Sequence, residues 1–119
     1  GRACCSVELA GIKMNDYIEH CFLDFVKGIQ NLVTEDREKN FPSLGPVVIG
    51  HDHGRKYWRI WKKDQGTNVY GFVRKEDGAI FMPAGWKGPQ TKTKTAIRGY
   101  VTDDYPLDYV GAYGVKYAL

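Results

Sequence analysis

The chain lacks the features that would announce a membrane protein, a secreted disulfide scaffold or an enzyme. No apolar run approaches the ~20 residues that a membrane span needs, and no basic leader followed by an apolar stretch marks a secretory signal. Cysteine is scarce and odd in number. Cys4, Cys5 and Cys21 do not make a disulfide framework, and without a C-x-x-C pair they have no zinc-ligand spacing. Reduced thiols, no metal and a cytoplasmic rather than secreted setting are therefore expected. Reaction chemistry is missing as well: no paired carboxylates, no Gly-rich phosphate loop and no Cys–His or Ser–His–Asp pairing stand out. Asp103 and Asp104 read as solvated loop residues. The expectation is a protein that is not an enzyme and carries no cofactor.

What is present suits one soluble domain. At 119 residues, with 43% hydrophobic and 26% charged side chains, such a chain buries roughly two-thirds of its unfolded surface in a single core. Residues 1–13 show no burial period, so they are expected to be a non-native leader or a short arm that adds little to stability; 14–119 form the folded domain. The net charge of +3 conceals a strong segregation. Residues 55–98 hold 11 Lys/Arg against 3 Asp/Glu, a net +8, whereas residues 1–54 carry −3 and residues 99–119 carry −2. A basic middle between acidic flanks points to an acidic partner for the middle.

The first half of the domain reads as one helix. Ile18, Cys21, Phe22, Phe25, Ile29, Leu32 and Val33 recur at spacings of three and four, giving one apolar stripe from about Asn15 to Thr34. Asp16 with Glu19 three residues on starts it in the manner of a capping box. Gly28 interrupts at a cost of about 1 kcal/mol against Ala, which suggests a strand crossing closely there. Thr34 to Asn40 reads as a solvated helix end or loop, closed by Phe41-Pro42. Pro46 to Ile49 is expected as a short strand ended by Gly50. His51-Asp52-His53-Gly54 places two imidazoles on alternate residues, as a shared ion would need, but no third ligand is marked and the Asp-x-Gly context is that of a turn. The turn is the favoured reading.

From Tyr57 onward the period is two. Lys56–Lys63 and Val69–Lys75 are aromatic and β-branched runs joined by the turn residues of Asp64–Asn68, and Glu76-Asp77-Gly78 precedes a third short run at Ala79–Met82. Strict alternation puts Trp58 and Ile60, with Val69 or its neighbours and Ile80, on a core face. It puts Tyr57, Arg59, Trp61, Tyr70, Phe72 and Arg74 on the other face, which one helix cannot also cover. Gly85, Gly88 and Pro89 read as barring regular structure around Trp86, and Thr91–Thr95 as a mobile loop. Trp86 either lies back on the sheet as a lid, in which case its truncation costs ~3 kcal/mol or more, or stands out beside Lys87 as a contact group; the lid is favoured. Ile97–Thr102 and the terminal GAYGVKYAL read as further strands. The fold class expected is α+β, one long N-terminal helix on a four- to five-stranded antiparallel sheet built as a β-meander.

The order KYWRIWKK, NVYGFVRKEDGAIFMPAGWKGP, IRGYV and AYGVKYAL resembles a group of small bacteriophage-encoded proteins met in marine environmental sequence, whose core runs S-V-Y-x-F-V, an acidic-Gly turn, I-x-K-P-A-x-W-K-x-P-A and R-G. The matching positions are Val69, Tyr70, Phe72, Val73, Gly78, Ile80, Pro83, Ala84, Trp86, Lys87, Pro89, Arg98 and Gly99. Met82 stands where a Lys is usual, and Thr91–Thr95 lengthens the loop before Arg98-Gly99. The resemblance implies a viral origin, in the host cytoplasm during infection or in the virion, and no particular activity.

Two functions compete. Aromatic rings on an open sheet can stack bases while Lys and Arg neutralise phosphates. The candidate nucleic-acid contacts are Tyr57, Arg59, Trp61, Lys62, Tyr70, Arg74, Lys87, Lys92, Lys94 and Arg98, with Phe72 as a further platform. Alternatively the aromatic face is a subunit interface of a homo-oligomer or a virion component, where Tyr, Trp and Arg are enriched. No RNP-type consensus or helix-turn-helix is present to decide between them.

Overall fold

The computed structural model of the chain describes residues 14–116. It is an α+β fold in which one helix packs against a five-stranded antiparallel sheet. Helix α1 spans Met14–Asn40. It is followed by β1 (Val48–His53), β2 (Tyr57–Lys63), β3 (Thr67–Arg74), β4 (Ala79–Phe81), β5 (Pro83–Gly85), β6 (Gly88–Pro89), β7 (Ile97–Tyr100), a 3-10 turn (Pro106–Tyr109), β8 (Val110–Gly111) and β9 (Gly114–Val115). The main sheet has the order β1-β2-β3-β4-β7, and each neighbouring pair is antiparallel. β5–β6 and β8–β9 are separate two-stranded hairpins.

The helical stripe does what its spacing requires. Ile18, Cys21, Phe22, Phe25, Ile29 and Val33 are buried against Trp58, Ile60, Val73 and Ile80 of the sheet. Phe22 stacks on Trp58 with ring centroids 4.1 Å apart and planes within 9°. β1 is an edge strand, and its open edge is met from the helix. The Gln30 amide accepts from Ile49 N and donates to the Val47 carbonyl, both at 2.8 Å. A side chain thereby satisfies backbone groups that an edge otherwise leaves to solvent or to another chain.

Several local expectations are corrected. Of the two readings of Thr34–Asn40, helix end and loop, the helix end holds, and Arg37 ties it down by pairing with Asp64 and donating to the Gly45 carbonyl. Gly28 is approached by the Leu107 side chain of the 3-10 turn, which comes within 2.7 Å of where a Cβ would stand, rather than by a strand. β1 runs through Gly50 to His53, because the Trp61 ring of the paired strand lies over Gly50 and fills the room a side chain would take. The His51-Asp52-His53 run is therefore strand, not turn. His51 meets Phe22 edge-on at 5.1 Å and His53 meets the Lys75 ammonium. The tail folds as the 3-10 turn and the β8–β9 hairpin, whose Val110 and Val115 enter the core, instead of adding a strand to the sheet. Cys21, expected as a reduced thiol, is disulfide-bonded; its partner, like the leader 1–13, lies outside the described residues.

The largest correction is a β-bulge. Ile60 pairs with Gly71 but Trp61 pairs with Val69, so Tyr70 is the extra residue between them. A bulge reverses the facing of everything beyond it. Tyr70 consequently points to the helix side, 2% exposed, and its hydroxyl donates to the Gly111 carbonyl at 2.5 Å. Burial pushes that phenol's pKa up.

Candidate nucleic-acid interface

The face of the sheet away from the helix is not bare. Phe72, Ala79 and Phe81 form a second small core there, with Tyr57, Val69, Ala96 and Tyr100 packed around it. Tyr57 meets Phe72 and Phe81 edge-on, at 6.3 and 5.7 Å. Phe72 is 3% exposed, which removes it, with Tyr70, from the stacking platforms.

Part of the cover is the segment expected to lack regular structure. Pro83 pairs with Pro89 and Gly85 with Gly88, making a hairpin whose two tip residues are Trp86 and Lys87. Both prolines tolerate this because so short a ladder asks little of their missing N–H groups. Gln90 N donates to the Met82 carbonyl at 2.8 Å and closes the hairpin's base. The hairpin leans over β3, and its tip reaches β2: Arg59 Nε donates to the Trp86 carbonyl at 2.7 Å, and the guanidinium carbon sits 4.5 Å from the centre of the Trp86 ring. Trp86 remains 44% exposed. It is neither a buried lid nor a free contact group, but a half-open ring braced on an arginine.

A cleft of about 310 Å³ opens beside this brace. Tyr57 and Phe72 lie at its floor, Arg55 and Lys56 come from the β1–β2 turn, Arg59 from β2 and Lys87 from the hairpin tip. Among the described residues Asp52 is the one carboxylate on its wall; it takes Arg59 Nη1 at 2.8 Å and Trp61 Nε1 at 3.3 Å. Four basic groups thus face one acidic one. An anion entering here would meet little repulsion and, around Tyr57 and Phe72, a surface of lowered dielectric.

The expected site residues divide clearly. Tyr57, Arg59 and Lys87 line the cleft, and Trp61 adjoins it through its hydrogen bond to Asp52. Lys62 lies on the helix side, its ammonium 5.1 Å from the Tyr113 ring. Arg74 is committed to the β3–β4 turn, where Nε and Nη2 hold both oxygens of Asp77 at 3.0 and 2.8 Å. That hydrogen-bonded pair holds the Asp77 carboxyl below its ordinary pKa and the Arg74 guanidinium above its own. Lys92, Lys94 and Arg98 belong to the segment before and at the start of β7. Sequence reasoning missed Arg55 and Lys56; their place directly after Gly54, at the mouth of a strand turn, was the available signal.

Among the described residues no three of His, Cys, Asp and Glu converge as a metal site would require, and no helix is long and apolar enough to cross a membrane. A family model described as a family of unknown function (DUF7717) matches residues 16–113. The chain belongs to that family. No curated protein and no solved structure matches it. The matched range of DUF7717 takes in the helix, the five-stranded sheet and the hairpin carrying Trp86 and Lys87, so the cleft lies wholly within the family's span.

Proposed function

We propose that this DUF7717 chain is a non-enzymatic binding module that takes single-stranded nucleic acid along its basic face. The observation carrying this reading is the cleft in which Arg55, Lys56, Arg59 and Lys87 face a single carboxylate beside the half-open Trp86 ring. Phosphates are neutralised by the basic rim, and a base stacks on Trp86 or on the half-buried Trp61, each such contact worth ~1–3 kcal/mol. Apart from Asp52, which is taken up by Arg59 and Trp61, the groups in the cleft are mainly donors and rings, suited to holding a polyanion. The resemblance to small bacteriophage proteins supports a role in the host cytoplasm during infection or in the virion.

The test is fluorescence anisotropy with a labelled oligothymidine at rising salt. Neutralising about four phosphates gives a log–log salt slope of about −3 for a single strand. Arg55→Glu with Lys87→Glu, both exposed, is expected to weaken binding at least tenfold, the charge being reversed rather than removed. Affinity indifferent to salt and to this reversal would sink the proposal.

A second reading, a protein-interaction or homo-oligomeric module, has its own observation: Tyr105 and Tyr113, 71% and 74% exposed, flank the helix side. Self-association that persists in high salt and is lost with Tyr105→Ser and Tyr113→Ser would favour it.

A further inference from the structure

Four arginines of the described chain are partly buried: Arg37, Arg59, Arg74 and Arg98. Three of them have a carboxylate partner, in Asp64, Asp52 and Asp77 respectively. Arg98 has none among the described residues. Its Nε is buried without a hydrogen-bond partner among those residues. Nη1 reaches the Thr95 hydroxyl at 3.3 Å, and Nη2 reaches only the Met82 sulfur at 3.5 Å. A guanidinium carries five N–H donors in a rigid fork, and a thioether is a weak acceptor. Holding such a group half out of water on these contacts costs stability. Among the described residues no carboxylate offsets that cost, whereas an anion accepting two of its N–H groups would.

The surroundings fit an anion. Lys92 and Lys94 are exposed on the same loop. The loop is tied at its base by Gln90 N to the Met82 carbonyl, and is turned by Ala96 N donating to the Thr93 carbonyl at 3.2 Å and Lys92 N donating to Gln90 Oε1 at 3.2 Å. Sheet register fixes only the backbone separation from the cleft, which opens on the other face of the sheet from the Met82 that Arg98 meets. Arg59 pairs with Phe72, Phe72 with Phe81, and Phe81 with Ile97 beside Arg98. Three strand steps of about 4.8 Å make ~14 Å.

We propose that Arg98, with Lys92 and Lys94, is a second phosphate site, in which phosphate oxygens replace Met82 and Thr95 as partners of the guanidinium. The source of the phosphate rests on the nucleic-acid reading above: a strand of several nucleotides spans both sites, and a lone phosphate occupies one of them. Arg98 is then a residue kept for its ligand against the interest of the fold.

The experiment compares wild type, Arg98→Met and the loop variant Lys92→Ala with Lys94→Ala, by thermal melting and by binding of oligothymidine and of inorganic phosphate. Arg98→Met removes the charge at similar length, so it is expected to melt at or above the wild-type temperature. It is also expected to lose roughly fivefold or more in oligonucleotide affinity and about one unit of salt slope. The loop variant, in exposed residues, keeps wild-type stability and loses affinity in the same direction. Phosphate protection against melting in wild type but not in Arg98→Met, with equal oligonucleotide affinity, assigns the site to free phosphate and upholds its chemistry. An Arg98→Met protein that melts several degrees lower or fails to fold, or one that binds both probes as wild type does, overturns the site. If Arg55→Glu with Lys87→Glu still abolishes oligonucleotide binding in that case, the cleft stands without the loop. If Arg98→Met alone weakens binding, the loop stands without the cleft.

Discussion

Arg59 and Trp86, 27 residues apart in sequence, are joined twice: by a 2.7 Å hydrogen bond from Nε to the Trp86 carbonyl and by a guanidinium lying 4.5 Å from the indole centre. This contact fixes the hairpin tip over β2 and sets the position of Lys87 at the cleft.

Because the ring is braced but 44% exposed, Trp86→Ala is expected to cost about 1 kcal/mol, the scale of one cation–π contact with partial burial. That is well short of the ~3 kcal/mol that removal of a buried indole costs. Urea denaturation measures the difference, and oligonucleotide affinity should fall in the same variant. A loss above ~3 kcal/mol would mean that the ring is a lid after all.

Gly50 leaves its space to Trp61, whose Cζ2 lies 2.2 Å from the position a Cβ would take. Gly50→Ala must push the indole off the strand and break its contact with Asp52, at a cost of roughly 1–3 kcal/mol. A red shift of tryptophan emission with weaker oligonucleotide binding is the expected signature. An unchanged spectrum would contradict the geometry.

Tyr70→Phe removes the hydroxyl that reaches Gly111. It removes one part-buried hydrogen bond, at a cost of about 1 kcal/mol. Nucleic-acid affinity should not change, since the ring lies in the core. A variant with wild-type stability and weakened binding would return Tyr70 to the binding face.

Stability should fall at both ends of the pH range, for opposite reasons. The Arg74 hydrogen bonds hold the Asp77 pKa below its ordinary 3.8, so this pair's contribution is present above that value and is lost as pH falls through the lower folded one. The Tyr109 hydroxyl donates to Asp103 at 2.6 Å, and its pKa is pushed up from 10.0 to about 12, first by that hydrogen bond and then by burial. Its contribution is complete below pH 10.0 and is lost as pH rises towards about 12. Melting temperature against pH checks both limbs. Asp77→Asn should flatten the acid limb and Asp103→Asn the alkaline one.

The sequence by itself determined the helix, the meander and their mutual packing. Ile18, Phe22, Phe25 and Ile29 share one helical stripe, and Trp58, Ile60 and Ile80 share one strand face, because periods of 3.6 and two are local properties of the backbone. It also marked the basic middle that furnishes Arg55, Lys56, Arg59 and Lys87. Only the tertiary structure decided which aromatic rings are open. The bulge that turns Tyr70 inward depends on how β3 registers against β2, and alternation within one strand does not encode its partner's register. The packing that buries Phe72 comes from Tyr57 and Phe81 on neighbouring strands, and the brace that halts Trp86 halfway comes from Arg59 on β2. The isolation of Arg98 was equally out of reach, since a missing counter-charge is a fact about space: three carboxylates pair with the other three partly buried arginines, and among the described residues none pairs with this one.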